Sequence, residues 1–401
     1  MNRRGHERLY GPAVREGDSL DVDRARGSLP ECGVPMKQQS RELQAFRRRL
    51  LGWFRKHRRD LPWRRTKDSY RIWISEVMLQ QTRVAAVIPY YRRFLARFPT
   101  VRALARAREA EVLKYWAGLG YYSRARLLHR AAKEIVARHG GRFPRDVKAA
   151  RELPGVGRYT AAAVLSIAYD VPLAVLDGNV ARVLARLGAL RGDVRAPKRW
   201  RELEAQADQL LDAGAPGDWN QAMMELGATV CMPRSPLCSE CPVSAGCRAF
   251  ALGIAESLPE RRKKRDAVAL RVAAAVLLDP GGRTLLLRGV SGQAGGEIFS
   301  RMWQFPAVQV KHNPRAEILR HLKKLFGIKT AKLIALPAAR HAVTFRDITL
   351  LPFLVRVVRL PTEVEQGIPP VGTILLPRLA QIEALPTSSA TRKIATAARQ
   401  L

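Results

Sequence analysis

Apolar residues recur at helical spacing through the first two thirds of the chain. Leu43, Phe46, Leu50 and Phe54 stand three or four positions apart with Arg and Lys between them, as in a helix that buries one face. The same periodicity predicts helices over Tyr70–Leu79, Val84–Phe98, Leu104–Trp116, Tyr122–His139, Arg158–Ala168, Asn179–Leu187, Arg199–Leu211 and Asn220–Leu226. Gly- and Pro-rich turns separate these stretches. We therefore predict an all-α domain over residues 41–257.

The pattern changes after a basic segment, residues 258–266, which we interpret as an interdomain linker. Beyond it the sequence predicts, in order, strand Arg271–Leu278, strand Thr284–Leu287, helix Arg315–Phe326, strand His341–Leu350 and strand Pro352–Arg359. This order indicates a smaller α+β domain over residues 267–385. We expect a flexible tail at each end, over residues 1–40 and 386–401.

The charge of the chain indicates its class of partner. Its 401 residues include 70 Lys and Arg against 35 Asp and Glu, which gives a net charge of +35. Such an excess repels itself unless a polyanion neutralises it, and nucleic acid is the leading candidate. An anionic membrane surface is the alternative, but the chain offers no amphipathic anchor and no apolar run near the ~18 residues of a membrane span. Residues 1–40, with seven basic and six acidic residues, resemble neither a signal peptide nor a mitochondrial presequence.

Four cysteines lie close together in the sequence. Cys231, Cys238, Cys241 and Cys247 follow the spacing Cys-x6-Cys-x2-Cys-x5-Cys, whereas Cys32 matches no motif. Four thiolates at such spacing can surround a zinc ion or an iron–sulfur cluster, and the spacing alone leaves both open. Disulfide bonds are a further alternative, although no secretory signal indicates an oxidising compartment.

Residues 153–161, which read Leu-Pro-Gly-Val-Gly-Arg-Tyr-Thr-Ala, are typical of a helix–hairpin–helix. Gly155 and Gly157 allow a tight turn and a close approach to phosphate, and the helix that follows offers free backbone N–H groups. We predict that Gly155, Val156, Gly157 and Arg158 bind DNA without reading its sequence. The alternative is a Gly-rich turn between helices with no ligand.

Two carboxylates stand in contrasting surroundings. Glu76 lies among Ile, Val, Met and Leu, so burial would raise its pKa into the range that a general acid requires. Asp177 opens a helix after an apolar stretch, where its alternative role is that of an N-cap. Two carboxylates in different environments match the division of roles in glycoside hydrolysis.

Together these motifs resemble the MutY-type adenine DNA glycosylases of the endonuclease III superfamily. The matching runs are Leu61–Arg64, Ser75–Thr82, Gly118–Tyr122, Leu153–Thr160, Leu176–Arg186, Asn220–Ala228 and the cysteine loop 231–247. The resemblance implies a helix–hairpin–helix glycosylase domain in which the four cysteines hold one [4Fe–4S] cluster. It also implies a base-excision repair enzyme that removes adenine opposite 8-oxoguanine or guanine in duplex DNA. We expect it to act as a monomer at the nucleoid of a bacterial cytoplasm.

The resemblance also implies roles for individual residues. Glu76 would protonate N7 of a flipped-out adenine, and Asp177 would stabilise the oxocarbenium-like sugar with support from Asn179 and Tyr159. The implied DNA contacts are Trp63 and Arg64 at the adenine pocket, Gln81 and Tyr121 as wedge residues, and also Gln80 and Tyr122. For the two tyrosines, packing at a helix end is the alternative.

Tyr159 occupies the hairpin position at which related strand-cleaving glycosylases carry a nucleophilic lysine. Because a phenol cannot form a Schiff base, we expect a monofunctional glycosylase that leaves an abasic site. Two alternatives remain at this point: a bifunctional pyrimidine-damage glycosylase/lyase of the endonuclease III type, and a non-catalytic iron–sulfur DNA-binding protein.

The C-terminal domain resembles a Nudix fold through the run Trp303–Pro306 and its strand–helix pattern. The magnesium-binding carboxylates of working Nudix enzymes are missing from residues 320–327, so we do not expect nucleotide hydrolysis. The lesion-recognition loop of the family corresponds here to His341–Phe345, in which Thr344 is the candidate DNA contact. A plain core strand over residues 343–345 is the alternative.

Overall fold

The computed structural model describes residues 36–260, 267–288, 302–343, 346–363, 374–385 and 387–400. The chain divides into two compact units, which are described separately below. The first comprises residues up to Arg106 and Leu127–Lys263, and the second comprises Ala107–Arg126 and the residues from Lys264 onward. Residues 1–35 of the predicted N-terminal tail and residues 261–266 of the predicted linker lie outside the described residues. The predicted tail is wrong over residues 36–40, which are the first residues of a helix that begins at Met36.

The regular elements between residues 36 and 260, a range that is described without gaps, are all helices, which confirms the all-α prediction. The α-helices are α1 (Met36–His57), α2 (Ser69–Leu79), α3 (Val84–Arg97), α4 (Val101–Arg106), α5 (Glu109–Trp116), α6 (Tyr122–Arg138), α7 (Val147–Glu152), α8 (Arg158–Tyr169), α9 (Gly178–Leu187), α10 (Pro197–Leu210), α11 (Pro216–Thr229) and α12 (Arg248–Ala251). Short 3₁₀ helices lie at Pro62–Arg65, Cys238–Glu240, Ser244–Gly246 and Ala255–Ser257.

Helices α2, α8, α9 and α11 form the centre of the first unit. Helix α2 packs against α8, and α11 packs against α1, α8 and α9. Trp73 of α2 and Trp219 of α11 are buried there, with Phe54 of α1. Burial of such large apolar side chains supplies most of the driving force for packing. This packing fixes the positions of the N-termini of two helices that carry candidate site residues: α8, which follows the hairpin, and α9, which follows Asp177.

The structure differs from the sequence prediction over Leu104–Trp116, which forms two helices rather than one. Arg108 has extended backbone angles, and Glu109 and Glu111 place negative charge in the first turn of α5, where the helix dipole favours it. Helix α5 and the start of α6 belong to the second unit. Within this unit the Tyr122 hydroxyl, at the start of α6, donates a hydrogen bond to the carbonyl oxygen of Thr387 at 3.1 Å.

The second unit combines strands and helices, which confirms the α+β prediction; its assignment to the Nudix fold rests on the sequence resemblance. The strands are β1 (Val268–Leu278), β2 (Leu286–Arg288), β3 (Trp303–Gln304), β4 (Ala307–Gln309), β5 (Leu333–Ala335), β6 (Ala339–Val343), β7 (Arg346–Arg356) and β8 (Ile374–Leu375). Besides α5, the unit contains the helices α13 (Pro314–Phe326) and α14 (Ser389–Ala398) and a 3₁₀ helix at Leu379–Ala384. One sheet has the order β4-β1-β7-β5 with β6 also paired to β7, and a smaller sheet has the order β3-β2-β8.

The long strands β1 and β7 run parallel, in register from Val268 opposite Arg346 to Leu278 opposite Arg356. Because alternate side chains of a strand point to opposite faces, β1 contributes to two cores. Ala273 and Leu277 share one core with Ile318 of α13. Val276 shares the other with Ile394 of α14.

The predicted C-terminal tail over residues 386–401 is wrong. Helix α14 begins after Ser388, whose hydroxyl accepts a hydrogen bond from the Thr391 amide, and its Ala390, Ile394 and Ala395 side chains are buried. The apolar face consists largely of alanine, so its hydrophobic pattern is weak in the sequence. Among the described residues, no helix is long and apolar enough to cross a membrane.

Candidate active site and cysteine loop

A cavity in the first unit gathers most of the predicted site residues. Its volume is about 1490 Å³ with its open mouth included. The predicted residues that line it are Trp63, Arg64, Glu76, Gln80, Gln81, Tyr159, Asp177 and Asn179. They come from four separate stretches of sequence, brought together by the packing of α2, α8 and α9.

Glu76 lies on α2 with only 5% of its surface exposed. The hydroxyl of Tyr159 on α8 donates a hydrogen bond to Glu76 Oε2 at 2.7 Å and also lies 3.3 Å from the sulfur of Met224. Burial raises the pKa of Glu76 to about 7, with a contribution from the negative charge of Asp177, and outweighs the opposing hydrogen bond from Tyr159. A carboxyl group with this pKa is partly protonated at neutral pH.

Asp177 is the N-cap of α9 and also lines the cavity, so the structure combines its two predicted roles. Its Oδ1 accepts hydrogen bonds from the backbone amides of Asn179 at 2.9 Å and Val180 at 2.8 Å, and its Oδ2 accepts one from Asn179 Nδ2 at 3.0 Å. Burial raises the pKa of Asp177, although these three bonds favour its ionised form. The carboxylate is therefore held rigidly at the cavity wall.

An ion-pair cluster that the sequence analysis missed forms another part of the wall. Glu225 on α11 is 1% exposed and accepts hydrogen bonds from Arg59 Nε at 2.8 Å and Arg64 Nη2 at 2.9 Å. Burial opposes ionisation of this carboxyl group, but the bonds from the two arginines lower the pKa of Glu225 to about 2. A sequence signal existed: Glu225, like Glu76, interrupts an apolar run within a motif.

Arg182 on α9 is a second residue that sequence reasoning missed. Its Nη2 donates to Asn179 Oδ1 at 2.9 Å and to the carbonyl oxygen of Gly227 at 2.7 Å, and its Nε donates to the carbonyl oxygen of Cys231 at 2.8 Å. One guanidinium thus joins the Asn179 side chain to the first residue of the cysteine loop. No local sequence pattern distinguishes it from Arg186, the other arginine of α9.

The hairpin residues do not line the cavity. Gly155 has a positive φ of 76°, and a Cβ there would lie 2.8 Å from Leu127 Cβ, so both its conformation and its surroundings require glycine. Val156 is buried and its amide donates to the carbonyl oxygen of Leu153, whereas Gly157 is exposed. The Arg158 guanidinium pairs with Glu204 at 2.8 Å and Asp208 at 3.4 Å.

The two predicted wedge residues share a strained conformation. Gln81 has a φ of 57° and Tyr121 a φ of 47°, a region that side-chain-bearing residues seldom adopt. Tyr121 is 54% exposed, with the Arg124 guanidinium 5.3 Å from its ring centre. Tyr122 is 8% exposed and bonded to Thr387, so the structure supports helix-end packing rather than DNA contact for Tyr122. Thr344 lies outside the described residues.

The cysteine loop closes around one small cavity. Cys231, Cys238, Cys241 and Cys247 line it with Arg186, and none of the four is in a disulfide. Burial raises the pKa of Cys241 to about 11, and the negative charges of the other three cysteines around the same cavity add to the effect. Within the described part of the chain, no group of His, Cys, Asp or Glu is arranged to hold a single metal ion.

Arg186 supplies the test of whether this cavity fits a sulfide-bearing cluster. It is 1% exposed, its Nη1 lies 3.2 Å from Cys231 Sγ, and its Nε donates to the carbonyl oxygen of Leu258 at 2.8 Å. Its buried Nη2 has no hydrogen-bond partner among the described residues. Because a buried donor without an acceptor is costly, this N–H group fits a cavity in which cluster sulfur supplies the acceptor.

Family models match both sites. The model of the HhH-GPD superfamily of base excision DNA repair proteins matches residues 74–209. The model of the iron–sulfur binding domain of endonuclease III matches residues 231–247. The human adenine DNA glycosylase is 50% identical over 217 residues, which are 52% of this chain and 40% of the human protein. The adenine DNA glycosylase of Mycolicibacterium smegmatis is 43% identical over 231 residues, which are 57% of this chain and 78% of that protein.

The chain belongs to the adenine DNA glycosylase family. A solved thermostable thymine-DNA glycosylase is 31% identical, covers 53% of this chain and 99% of its own, and has a TM-score of 0.49. In this family member the cysteine loop is an iron–sulfur site, which confirms the predicted cluster. Cys231, Cys238, Cys241 and Cys247 would hold the cluster, which would cross-link the loop.

Proposed function

We propose that this protein hydrolyses the N-glycosidic bond of adenine paired with 8-oxoguanine or guanine in duplex DNA, and leaves an abasic site. The observation that carries the proposal is the placement of Glu76, Tyr159 and Asp177 in one cavity, with the pKa of Glu76 raised to about 7. Membership of the adenine DNA glycosylase family supports adenine as the base.

The two carboxylates divide the reaction between them. Glu76 donates its proton to N7 of the adenine as the bond from N9 to the sugar carbon breaks, so the base leaves as a neutral molecule. The ionised Asp177 stabilises the positive charge that develops on the sugar. Water then attacks the sugar carbon and gives its proton to the Glu76 carboxylate, which completes the hydrolysis and restores the acid. Asn179 supports the second step because it holds Asp177 in place.

Hydrolysis without strand cleavage follows from the residues at the cavity wall. Among the described residues that line the cavity there is no lysine, and Tyr159 stands where the lyases of the superfamily carry one. An amine that could form a Schiff base with the sugar is therefore not at hand. This arrangement disfavours the bifunctional glycosylase/lyase alternative.

We further propose that duplex DNA is the partner, bound by one copy of the chain on chromosomal DNA. The net charge of +35 and the exposed Gly155, Gly157 and Arg158 of the hairpin support this choice. Extrusion of the adenine costs a few kcal/mol, less at a mispair, and the cavity gives the base a place to bind beside Trp63 and Arg64.

Single-turnover kinetics test the proposal. A duplex with one adenine opposite 8-oxoguanine, and parallel duplexes with guanine or thymine opposite, would be incubated with excess enzyme, and strand breaks scored with and without alkali. We expect breaks only after alkali, fastest opposite 8-oxoguanine, and their loss in Glu76→Gln. Glu42→Gln, an exposed change on α1, is the matched control and should retain full activity. Breaks without alkali, or full activity in Glu76→Gln, would refute the proposal.

A further inference from the structure

The second unit carries a strongly basic surface that the proposed reaction leaves unused. It consists of the exposed side chains of α13 and of the loop after it, namely Arg320, Lys323, Lys324, Lys329 and Lys332, and is called the α13 surface below. The segment 311–332 contains seven Lys or Arg residues and a single acidic residue, Glu317. The excess positive charge is therefore local and not an average over the chain.

The packing of α13 does not use these charges. The helix is anchored through Ile318, Leu322 and Leu325, which are buried in the core beneath it. Arg315 also takes part in packing within the unit, because its guanidinium donates a hydrogen bond to the carbonyl oxygen of Leu333 at 3.1 Å and lies over the Phe353 ring.

The five side chains of the α13 surface have no counter-charge in the part of the chain that the structure describes. Among the described residues, none of its five side chains forms an ion pair or a side-chain hydrogen bond. The Glu317 carboxylate accepts from the backbone amides of Lys311 and His312 at the start of the helix. The Glu317 carboxylate is therefore hydrogen-bonded at the N-terminal end of α13, whereas the basic side chains lie further along the helix and beyond its C-terminal end.

The helix itself does not account for this charge. Lys323 and Lys324 lie in the last turn, where the helix dipole favours a cation. Arg320 lies one turn earlier, three and four positions from those lysines, at a spacing where like charges destabilise a helix. Lys329 and Lys332 lie beyond the helix end at Gly327. An external anion that meets all five charges would offset this repulsion.

We propose that the α13 surface binds the phosphate backbone of duplex DNA and provides a contact separate from the hairpin. This inference rests on the proposed function, which supplies duplex DNA as the substrate. Arg320 and Lys324 are about 6 Å apart along the helix axis at 1.5 Å per residue, and the loop lysines extend the row, so the charges suit a continuous line of phosphates. The surface consists only of Arg and Lys side chains, and contacts from such side chains to phosphates position a protein without reading sequence, so we expect it to contribute affinity without sequence preference.

The salt dependence of binding tests this contact in the full-length protein. The dissociation constant for a duplex with a tetrahydrofuran abasic analogue would be measured at several salt concentrations. For Lys323→Gln/Lys324→Gln we expect the slope of log affinity against log salt to fall by about 1.8, from ~0.9 per lost phosphate contact. Lys329→Gln/Lys332→Gln should lower the slope similarly and serves as an independent second variant.

Lys323→Arg/Lys324→Arg is the matched control, since it retains both charges and should retain the slope. An unchanged slope in both glutamine variants would overturn the proposal, as would an equal loss in the arginine control. Tighter binding to phosphatidylglycerol vesicles than to the duplex would also overturn it, in favour of a membrane surface. Single-turnover adenine release would be measured separately in the unaltered protein. Its absence in the unaltered protein would refute the proposed function without touching the salt slope.

Discussion

The Tyr159 hydroxyl donates a 2.7 Å hydrogen bond to Glu76 Oε2 and thereby joins α8 to α2 at the cavity. The bond favours the ionised form of Glu76, whereas burial favours the neutral form and dominates. Burial therefore keeps Glu76 partly protonated near neutral pH, as the proposed reaction requires, and the hydrogen bond from Tyr159 limits how far burial raises its pKa.

Removal of that phenol should move the pH profile. In Tyr159→Phe the carboxylate of Glu76 loses a hydrogen bond worth about 1 kcal/mol, so its pKa rises by about 0.7 unit. Because the acid acts in its protonated form, the alkaline limb of single-turnover adenine release should shift to higher pH by the same amount. A shift to lower pH would contradict this assignment of Glu76.

Glu76 should also make stability depend on pH. Its pKa is about 7 in the folded protein against an ordinary value of 4.5 for a glutamate, so its contribution is fully favourable below about pH 4.5 and is lost as pH rises through about 7. Relative to the unaltered protein, Glu76→Gln should therefore gain stability across this window, by about 3 kcal/mol at pH 8. Denaturant unfolding at pH 5 and pH 8 measures the change, and Glu42→Gln should show no such pH dependence.

Loss of the Glu225 carboxylate should destabilise the cavity wall. Glu225→Gln leaves the Arg59 and Arg64 guanidinium groups beside a buried neutral amide, and disruption of a buried pair costs about 3 kcal/mol. We expect a lower melting temperature and weaker adenine release. Asp60→Asn, which removes an exposed partner of Arg65, should leave the melting temperature unchanged. Equal effects of the two substitutions would argue against the buried cluster.

Glu204 and Asp208 should restrain the hairpin, because they hold Arg158 at 2.8 Å and 3.4 Å. Glu204→Gln/Asp208→Asn frees this guanidinium for phosphate, so duplex affinity at low salt should rise, with a salt slope steeper by about 0.9. Addition of Arg158→Gln to the double variant should abolish the gain. A gain that persists in the triple variant would show that Arg158 is not the group released.

Arg186 should stabilise the iron–sulfur site through its N–H groups. Arg186→Gln removes the contact with Cys231 Sγ and the buried Nη2 donor, so iron and sulfide per chain should fall, together with the visible absorbance. Arg234→Gln, an exposed change within the cysteine loop, is the control and should retain the iron content. Full iron content in Arg186→Gln would contradict this role.

Local patterns in the sequence were sufficient for much of the fold. The all-α and α+β units, the helix that carries Glu76 and the N-cap role of Asp177 follow from periodicity and flanking residues, which act over a few positions. The cysteine spacing indicated a metal centre for the same reason, since its four ligands lie within seventeen residues.

Tertiary structure alone decided which charges are paired and which side chains are available. Glu225 meets Arg59 from 166 positions away, and Arg158 meets Glu204 from 46. Tyr122 is buried through a bond to Thr387, and the alanine-rich α14 is ordered by the sheet it covers. No local pattern encodes such pairings, because they depend on the packing of whole elements. That packing also buries Glu76, so the pKa near 7 on which the proposed chemistry depends is a property of the fold and not of the motif.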